Sequence, residues 1–468
     1  MKNIFNFNKY FKAIIDALFN VFLVLVLLSA LYVCCYLLEG KTKLIVFSLL
    51  VIITVILLVF EKKKIQIIQE LIIDSFSKLS DKKLLLIIVL SMIVLKLFYT
   101  IFFYFDPTVT TDIISKYVGY AENFVNNGTL KITIGDNYYF LALLLSIFPR
   151  FNIPYHIGMF IILLVSMVIN FFSFKDIIGK EKAFIGIMLY VLMPSTMLLT
   201  FCPTVEVYQI LFTSLFIFLL LKTINKRNII YSLLLSIVCF VTCKLNYVGY
   251  IMIFILLISV IMMNCNHKSK LGIVIALVLS LTLSNLFQYS TSYEWRNTER
   301  AYISLIRGTN YKIDGRFSEE CPKDMEHLYI HKNVEIKQKI QELLYEVELK
   351  DNIKELVQNP KTLFEFIVYK FYIFFSGNHY SIEMLDNINN ISNISFYVTL
   401  GINEILYILA IVFGISSIFK KEKEDLSVIK LLLLLVIFVL LITETSNRYS
   451  LFITPSLYLL CMSKIKQE

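Results

Sequence analysis

Charge is scarce in this chain. Asp, Glu, Lys and Arg make up 17% of its 468 residues, against about a quarter in an average soluble domain. Cysteine pairing signals are also missing. None of the eight cysteines forms a C-x-x-C pair, and Cys34, Cys35, Cys239 and Cys461 lie within or at the ends of apolar runs, where Cys behaves as a small hydrophobe. Neither a disulfide framework nor a zinc site is expected. The five histidines are scattered; His327 and His331 share a helical spacing but have no third ligand beside them, which reads as a solvated helix. No multi-carboxylate cluster stands out, so dependence on a divalent metal is left open. A fixed-period repeat, a low-complexity tract and a separate soluble domain are all lacking. So is a cleaved secretory signal, because the first apolar run is too long for an h-region and no small-residue cleavage site follows it.

What the chain has instead is apolar length. Hydrophobic residues reach 58% and mean hydropathy is +0.74. Runs of about 17–25 apolar residues recur from end to end, enough to cross a hydrocarbon core of roughly 30 Å. The expectation is an all-α polytopic membrane protein. Its twelve spans are placed at about 14–38, 44–60, 84–105, 156–174, 183–201, 205–222, 228–243, 246–264, 271–289, 397–419, 427–443 and 449–462.

The net charge of +9 superficially suggests nucleic acid. The basic residues, however, sit in short loops, as the positive-inside rule expects, and no nucleic-acid partner is implied. Lys2, Lys9 and Lys12, then Lys62, Lys63, Lys64, Lys78, Lys82 and Lys83, then Lys175, Lys180 and Lys182 precede three further basic turns. These are Lys222, Lys226 and Arg227; Lys268 and Lys270; and Lys420, Lys421 and Lys423. With Lys464 and Lys466 they all fall on one side if both termini are cytoplasmic.

That parity defines four regions: an amino-terminal hairpin with a cytoplasmic segment (1–83), a core with a first outer loop at 106–155 (84–289), a second extracytoplasmic region with amphipathic helices (290–396), and carboxyl-terminal spans (397–468). In the second outer region Val334, Ile340, Leu343, Leu344 and Val347 recur at helical spacing, and Asn359-Pro360 stops the pattern. Two shorter apolar stretches, Tyr138 to Phe148 and Leu363 to Phe375, are assigned to the outer interface; re-entrant or spanning helices are the alternative.

Ionisable groups at the membrane edge are functional candidates by default. Asp112 opens a segment in which Lys116 and Tyr120 follow at helical spacing, and a carboxylate there is suited to take a proton from an attacking hydroxyl. A simple helix N-cap explains it equally well. Glu206 follows Pro203, in the first turn of a helix, where an acid suits the dipole or faces a polar cavity. Lys244 is the lone charge of an outer turn, either a phosphate contact or a snorkelling loop residue. Glu444 and Arg448 are four apart, so they form an internal ion pair or leave Arg448 to offer its planar fork to a phosphate. Tyr117 and Tyr449 are further polar candidates for the cavity wall.

The order of these features resembles the GT-C glycosyltransferases, in particular the bacterial relatives of protein O-mannosyltransferases and aminoarabinose transferases. The matching residues are Asp112, Tyr117 and Ala121; the Gly179-to-Ala183 turn; Pro194; Pro203 with Glu206; Lys244 to Tyr247; and Glu444, Arg448, Tyr449 and Pro455, over about residues 84–462. The resemblance implies inverting transfer from a polyprenyl-phosphate sugar donor to an envelope glycan, lipid or protein acceptor at the outer membrane face. It also implies that the acid of the first outer loop is catalytic, a role that falls to Asp112, and that Arg448 touches the donor phosphate. Many relatives carry adjacent acids at this position, whereas Asp112 is followed by Ile113, so Asp106, Glu122 and Asp136 are alternatives. Two rival readings remain: an oligosaccharide polymerase or ligase, which would rely on outer Arg and His clusters, and a lipid-linked sugar flippase or transporter, which predicts paired broken helices.

Overall fold

The computed structural model describes residues 9–33, 40–60, 62–103, 112–128, 136–226, 228–246, 248–262, 266–290, 305–306, 309–310, 347–375, 393–415, 426–443 and 453–463. Among these the chain is helical throughout, with no strand. The amino-terminal part comprises α1 (Lys9–Val33), α2 (Gly40–Phe60), α3 (Lys62–Ser77) and α4 (Asp81–Phe103). Three shorter helices follow: α5 (Asp112–Asn127), α6 (Asp136–Leu145) and α7 (Ile147–Arg150). The core continues with α8 (Tyr155–Ile178), α9 (Lys180–Leu192), α10 (Pro194–Leu198), a 3-10 turn (Leu199–Phe201), α11 (Val205–Lys226), α12 (Ile229–Leu245), α13 (Val248–Met262) and α14 (His267–Ser290). After a helical stretch at 347–358 come α15 (Pro360–Phe375), α16 (Asn393–Ile415), α17 (Ser427–Ile442) and α18 (Thr454–Ser463).

Among the described residues, six helices are long and apolar enough to cross a membrane: Tyr10–Tyr32, Asp81–Phe102, Tyr155–Ile178, Val205–Lys226, His267–Ser284 and Tyr397–Ile415. The pair Lys180–Leu192 and Pro194–Phe201 makes a seventh if it counts as one bent span. The periodicity of α1 shows why these helices form a bundle. Phe19, Phe22, Leu23, Val26, Leu27, Ala30 and Leu31 recur on one face and are buried, while Ile14, Leu18, Val21 and Leu25 point outward with no polar cover.

Helix α8 packs on α9 and α11, α11 on α12, and α12 on α13 and α14; α18 fits between α9 and α16, and α1 lies against α15, α16 and α17. The basic turns collect at one end of this bundle. Lys175 pairs with Asp81 at 2.6 Å, Lys180 Nζ donates to the Ser77 and Leu79 carbonyls at 3.2 and 2.7 Å, and Lys222 pairs with Asp176 at 3.7 Å. Ser269 Oγ closes the same end by donating to the Ile224 carbonyl at 2.8 Å. Gly179 makes the α8–α9 turn possible: its φ of +94° is a conformation L side chains rarely adopt.

One expectation changes. The span expected at 183–201 is not one helix; it is broken at Met193–Pro194 by 69°. Pro194 has no N–H, its ring excludes a continuing helix, and Met193 is driven to an extended backbone (φ −66°, ψ 128°). The segment Leu363 to Phe375, expected at the interface, packs on α1 and α17. In α15, Phe371 and Phe375 set their rings edge-on to Phe22, near the middle of α1, at 5.8 and 5.1 Å. Lys370 is fully buried, and its Nζ donates to the Leu441 and Thr443 carbonyls at 2.7 Å each, satisfying the last turn of α17. The break at Asn359 falls where the Asn-Pro signal put it: the preceding helix ends at residue 358 and α15 begins at Pro360.

Candidate functional site

The end of the bundle opposite the basic turns gathers polar side chains around Lys96. This lysine lies in the last third of α4, where Met92 and Tyr99 share its buried face. It is only 4% exposed. Its Nζ donates to Thr200 Oγ1 at 2.7 Å and stands 3.4 Å above the centre of the Phe201 ring. A cation loses several kcal/mol of hydration on burial, and a desolvated cation–π contact returns about 2 kcal/mol. Thr200 and Phe201 belong to the 3-10 turn below the helix break, so the bend at Pro194 is what brings them under α4. Thr200 is itself fixed, donating to the Met197 carbonyl at 2.6 Å.

The chain then turns at Cys202 and Pro203 into α11. Glu206 sits in the first turn of α11, where the dipole favours an acid, and is 1% exposed. Burial, with the negative charge of Glu206 nearby, pushes the Cys202 thiol up to about 12. Cys202 is therefore a neutral thiol near pH 7 and a poor nucleophile.

Helix α8 supplies the next wall. His156 stacks on Phe201, with ring centroids 6.2 Å apart and planes at 27°. Its neighbour Tyr155 lies within electrostatic range of both Tyr208 on α11 and Glu122 on α5. The hydroxyls of Tyr155, Tyr208 and Thr204 and the Gln209 Nε2 are buried and meet no hydrogen-bond partner among the described residues. A buried donor left unpaired costs about 1–3 kcal/mol, so this group is an expensive feature of the fold. Helix α5 packs on α6 and α7 with an amphipathic face: Tyr117, Val118 and Ala121 are buried, and Glu122, Asn123, Asn126 and Asn127 are exposed. The Arg150 guanidinium of α7 lies 5.0 Å from the Phe124 ring and ties α5 to the bundle.

Lys244 is not a snorkelling loop residue. It occupies the last turn of α12 at 2% exposure, 5.9 Å from the Phe240 ring, which packs edge-on against Phe140 of α6 at 6.0 Å. The turn after it is tight: the Asn246 N–H donates to the Thr242 carbonyl at 2.8 Å and the Gly249 N–H to the Asn246 carbonyl at 3.2 Å. Gly249 runs so close to α12 that a Cβ there would meet the Cys243 nitrogen, stand 2.5 Å from Cys243 Cα and 2.6 Å from the Thr242 carbonyl carbon. Because α11 and α12 run antiparallel, Lys244 and Glu206 are at the same end of the bundle.

The sequence candidates therefore divide. Glu206, Lys244, Tyr117 and Glu122 are placed at this end, Tyr117 within the buried apolar face of α5. Asp112 is the first residue of α5 and Asp136 the first of α6, but their side chains lie outside the described ones. Asp106, Glu444, Arg448, Tyr449 and the His327/His331 pair also lie outside the described residues. Lys96, Thr200 and His156 escaped the sequence reading. Lys96 had a visible signal: it is the one charged residue between Lys83 and Phe103. Nothing local distinguishes Thr200 or His156.

Together these features define an α-helical protein with membrane-length helices that buries Lys96, Lys244 and Glu206 at one end of its bundle. Comparison with protein-family models, with curated proteins and with solved structures found no match to this chain.

Proposed function

We propose that the chain is an integral membrane glycosyltransferase that moves a sugar, with inversion, from a polyprenyl-phosphate-linked donor to an envelope glycan, lipid or protein acceptor. The observation that carries this reading is the buried Lys96, held on Thr200 and Phe201 at the end of the bundle where Glu206 and Lys244 are also buried. A cation in a dry site suits a phosphate leaving group, and an acid at the membrane edge suits an attacking hydroxyl.

In this reading the acceptor oxygen attacks the anomeric carbon and its proton passes to a carboxylate. The bond to the phosphate oxygen breaks, and the phosphate departs with the electron pair toward Lys96, Lys244 and Arg448. Asp112 is the proposed base. Among its alternatives, Glu122 has the support of a described side chain within electrostatic range of Tyr155. In this reading the chain crosses the membrane twelve times, both termini are cytoplasmic, and the site faces outward. Lys96→Met tests the reading with purified protein and a polyprenyl-phosphate sugar. Losing a positioned transition-state donor typically lowers kcat about 10²–10³-fold. Transfer at the parental rate would overturn the role of Lys96, and no transfer by the parent from any such donor would overturn the function.

The break at Met193–Pro194 favours one second reading, a lipid-linked sugar flippase, since discontinuous helices line many transport sites. Translocation of the lipid-linked sugar across liposomes without any transfer would select that reading.

A further inference from the structure

The helix break has no local cap. Helix α10 begins at Pro194, and Met193 before it has no side-chain oxygen to accept the first N–H groups. The acceptor comes from another helix. Asn403, near the middle of α16 and 0% exposed, receives the Ser195 N–H on its Oδ1 at 3.2 Å. The amide is oriented for this: its Nδ2 donates to Glu404 Oε1 at 3.4 Å, which turns the oxygen toward Ser195. On the other side of the break, Thr196 Oγ1 donates to the Tyr190 carbonyl at 2.7 Å, so an acceptor released by the proline is also satisfied. The segment held in this way is short, and it ends in the two residues on which Lys96 rests.

We propose that Asn403 is a positioning residue: by capping the break from α16 it fixes the Thr200–Phe201 turn against Lys96. An acceptor supplied from a span 208 residues away couples the α16 packing surface to the geometry of the Lys96 ammonium. The consequence for catalysis rests on the glycosyltransferase reading; the consequence for the turn does not.

Two variants separate shape from hydrogen bonding. Asn403→Leu keeps the volume and removes the acceptor, whereas the double variant Asn403→Asp/Glu404→Gln keeps an acceptor oxygen at 403 and faces it with a donor at 404, the number of buried acids unchanged. Hydrogen–deuterium exchange of the full-length protein is read on peptides covering 194–202. The expected result is exchange about tenfold faster in Asn403→Leu, the size of a lost cap, with parental protection in the double variant and in helices α12–α14 of both. In the transfer assay, kcat is expected to fall about tenfold in Asn403→Leu with donor KM within threefold of the parent, because Lys96 acts on the departing phosphate, and the double variant to restore it. Unchanged exchange at 194–202 in Asn403→Leu overturns the proposal, and so does a double variant that exchanges like Asn403→Leu. Should Asn403→Leu raise exchange throughout the bundle, the double variant decides: parental protection at 194–202 supports the proposal and loss there overturns it. A parent without transfer activity rejects the functional reading alone, because the exchange result still decides the role of Asn403.

Discussion

Replacing Thr200 by Val keeps the shape of the side chain and removes one oxygen with two contacts. It accepts from Lys96 Nζ at 2.7 Å and donates to the Met197 carbonyl at 2.6 Å. A hydrogen bond to a buried charge contributes about 1.5–3 kcal/mol and a neutral one about 0.5–1.5 kcal/mol, so the parent should lose about 2–4.5 kcal/mol. In a Lys96→Met background the first contribution no longer exists, and the same replacement should cost only about 0.5–1.5 kcal/mol. The double-mutant cycle therefore predicts a coupling of about 1.5–3 kcal/mol. Equilibrium unfolding of the four proteins in mixed detergent micelles measures it. Equal costs of Thr200→Val in both backgrounds would refute the claim that Thr200 holds the Lys96 ammonium.

Gly249→Ala forces a methyl group onto the Cys243 backbone, so a loss of about 1–3 kcal/mol and a lowered thermal midpoint are expected; an unchanged midpoint would mean the α12–α13 turn is looser than described. Lys370→Met withdraws both donors from the last turn of α17, partly offset by no longer burying an ammonium. A net loss of about 1–3 kcal/mol and faster amide exchange near Thr443 are expected, and unaltered exchange would contradict the capping role. Asp112→Asn and Glu122→Gln compared in the transfer assay identify the base: the true one should lose about 10²–10⁴-fold in kcat, and parental rates in both would exclude the pair.

Hydropathy and lysine placement made much of the architecture readable, because both act over one helix or one turn. The membrane-length helices fall where apolar runs were, and the pairs of Lys175 with Asp81 and Lys222 with Asp176 collect basic turns at one end. Pro194 was visible, but a proline announces a defect and not the 69° it produces. Glu206 was legible as a first-turn acid. Lys244 lies between two apolar runs, and a lysine in that position has no sequence mark for burial. The deeper contacts join positions 104 and 208 residues apart, Lys96 with Thr200 and Ser195 with Asn403, and no local pattern encodes such a meeting.

The distance in sequence between Lys96 and Thr200 also bears on biogenesis. Spans enter the bilayer in the order they are synthesised, so α4 is delivered 104 residues before its acceptor exists. A lysine within an inserting helix costs up to about 2.5–3.5 kcal/mol in apparent insertion free energy, the value at the centre, and each Leu, Ile or Val returns only about 0.3–0.6 kcal/mol. The run Leu84 to Leu97, almost entirely Leu, Ile and Val around Lys96, supplies that excess. Its greasiness is thus a requirement of delivery as well as of lipid contact. Polar substitutions on the outward face of α4 should lower membrane insertion even where they touch nothing in the finished bundle.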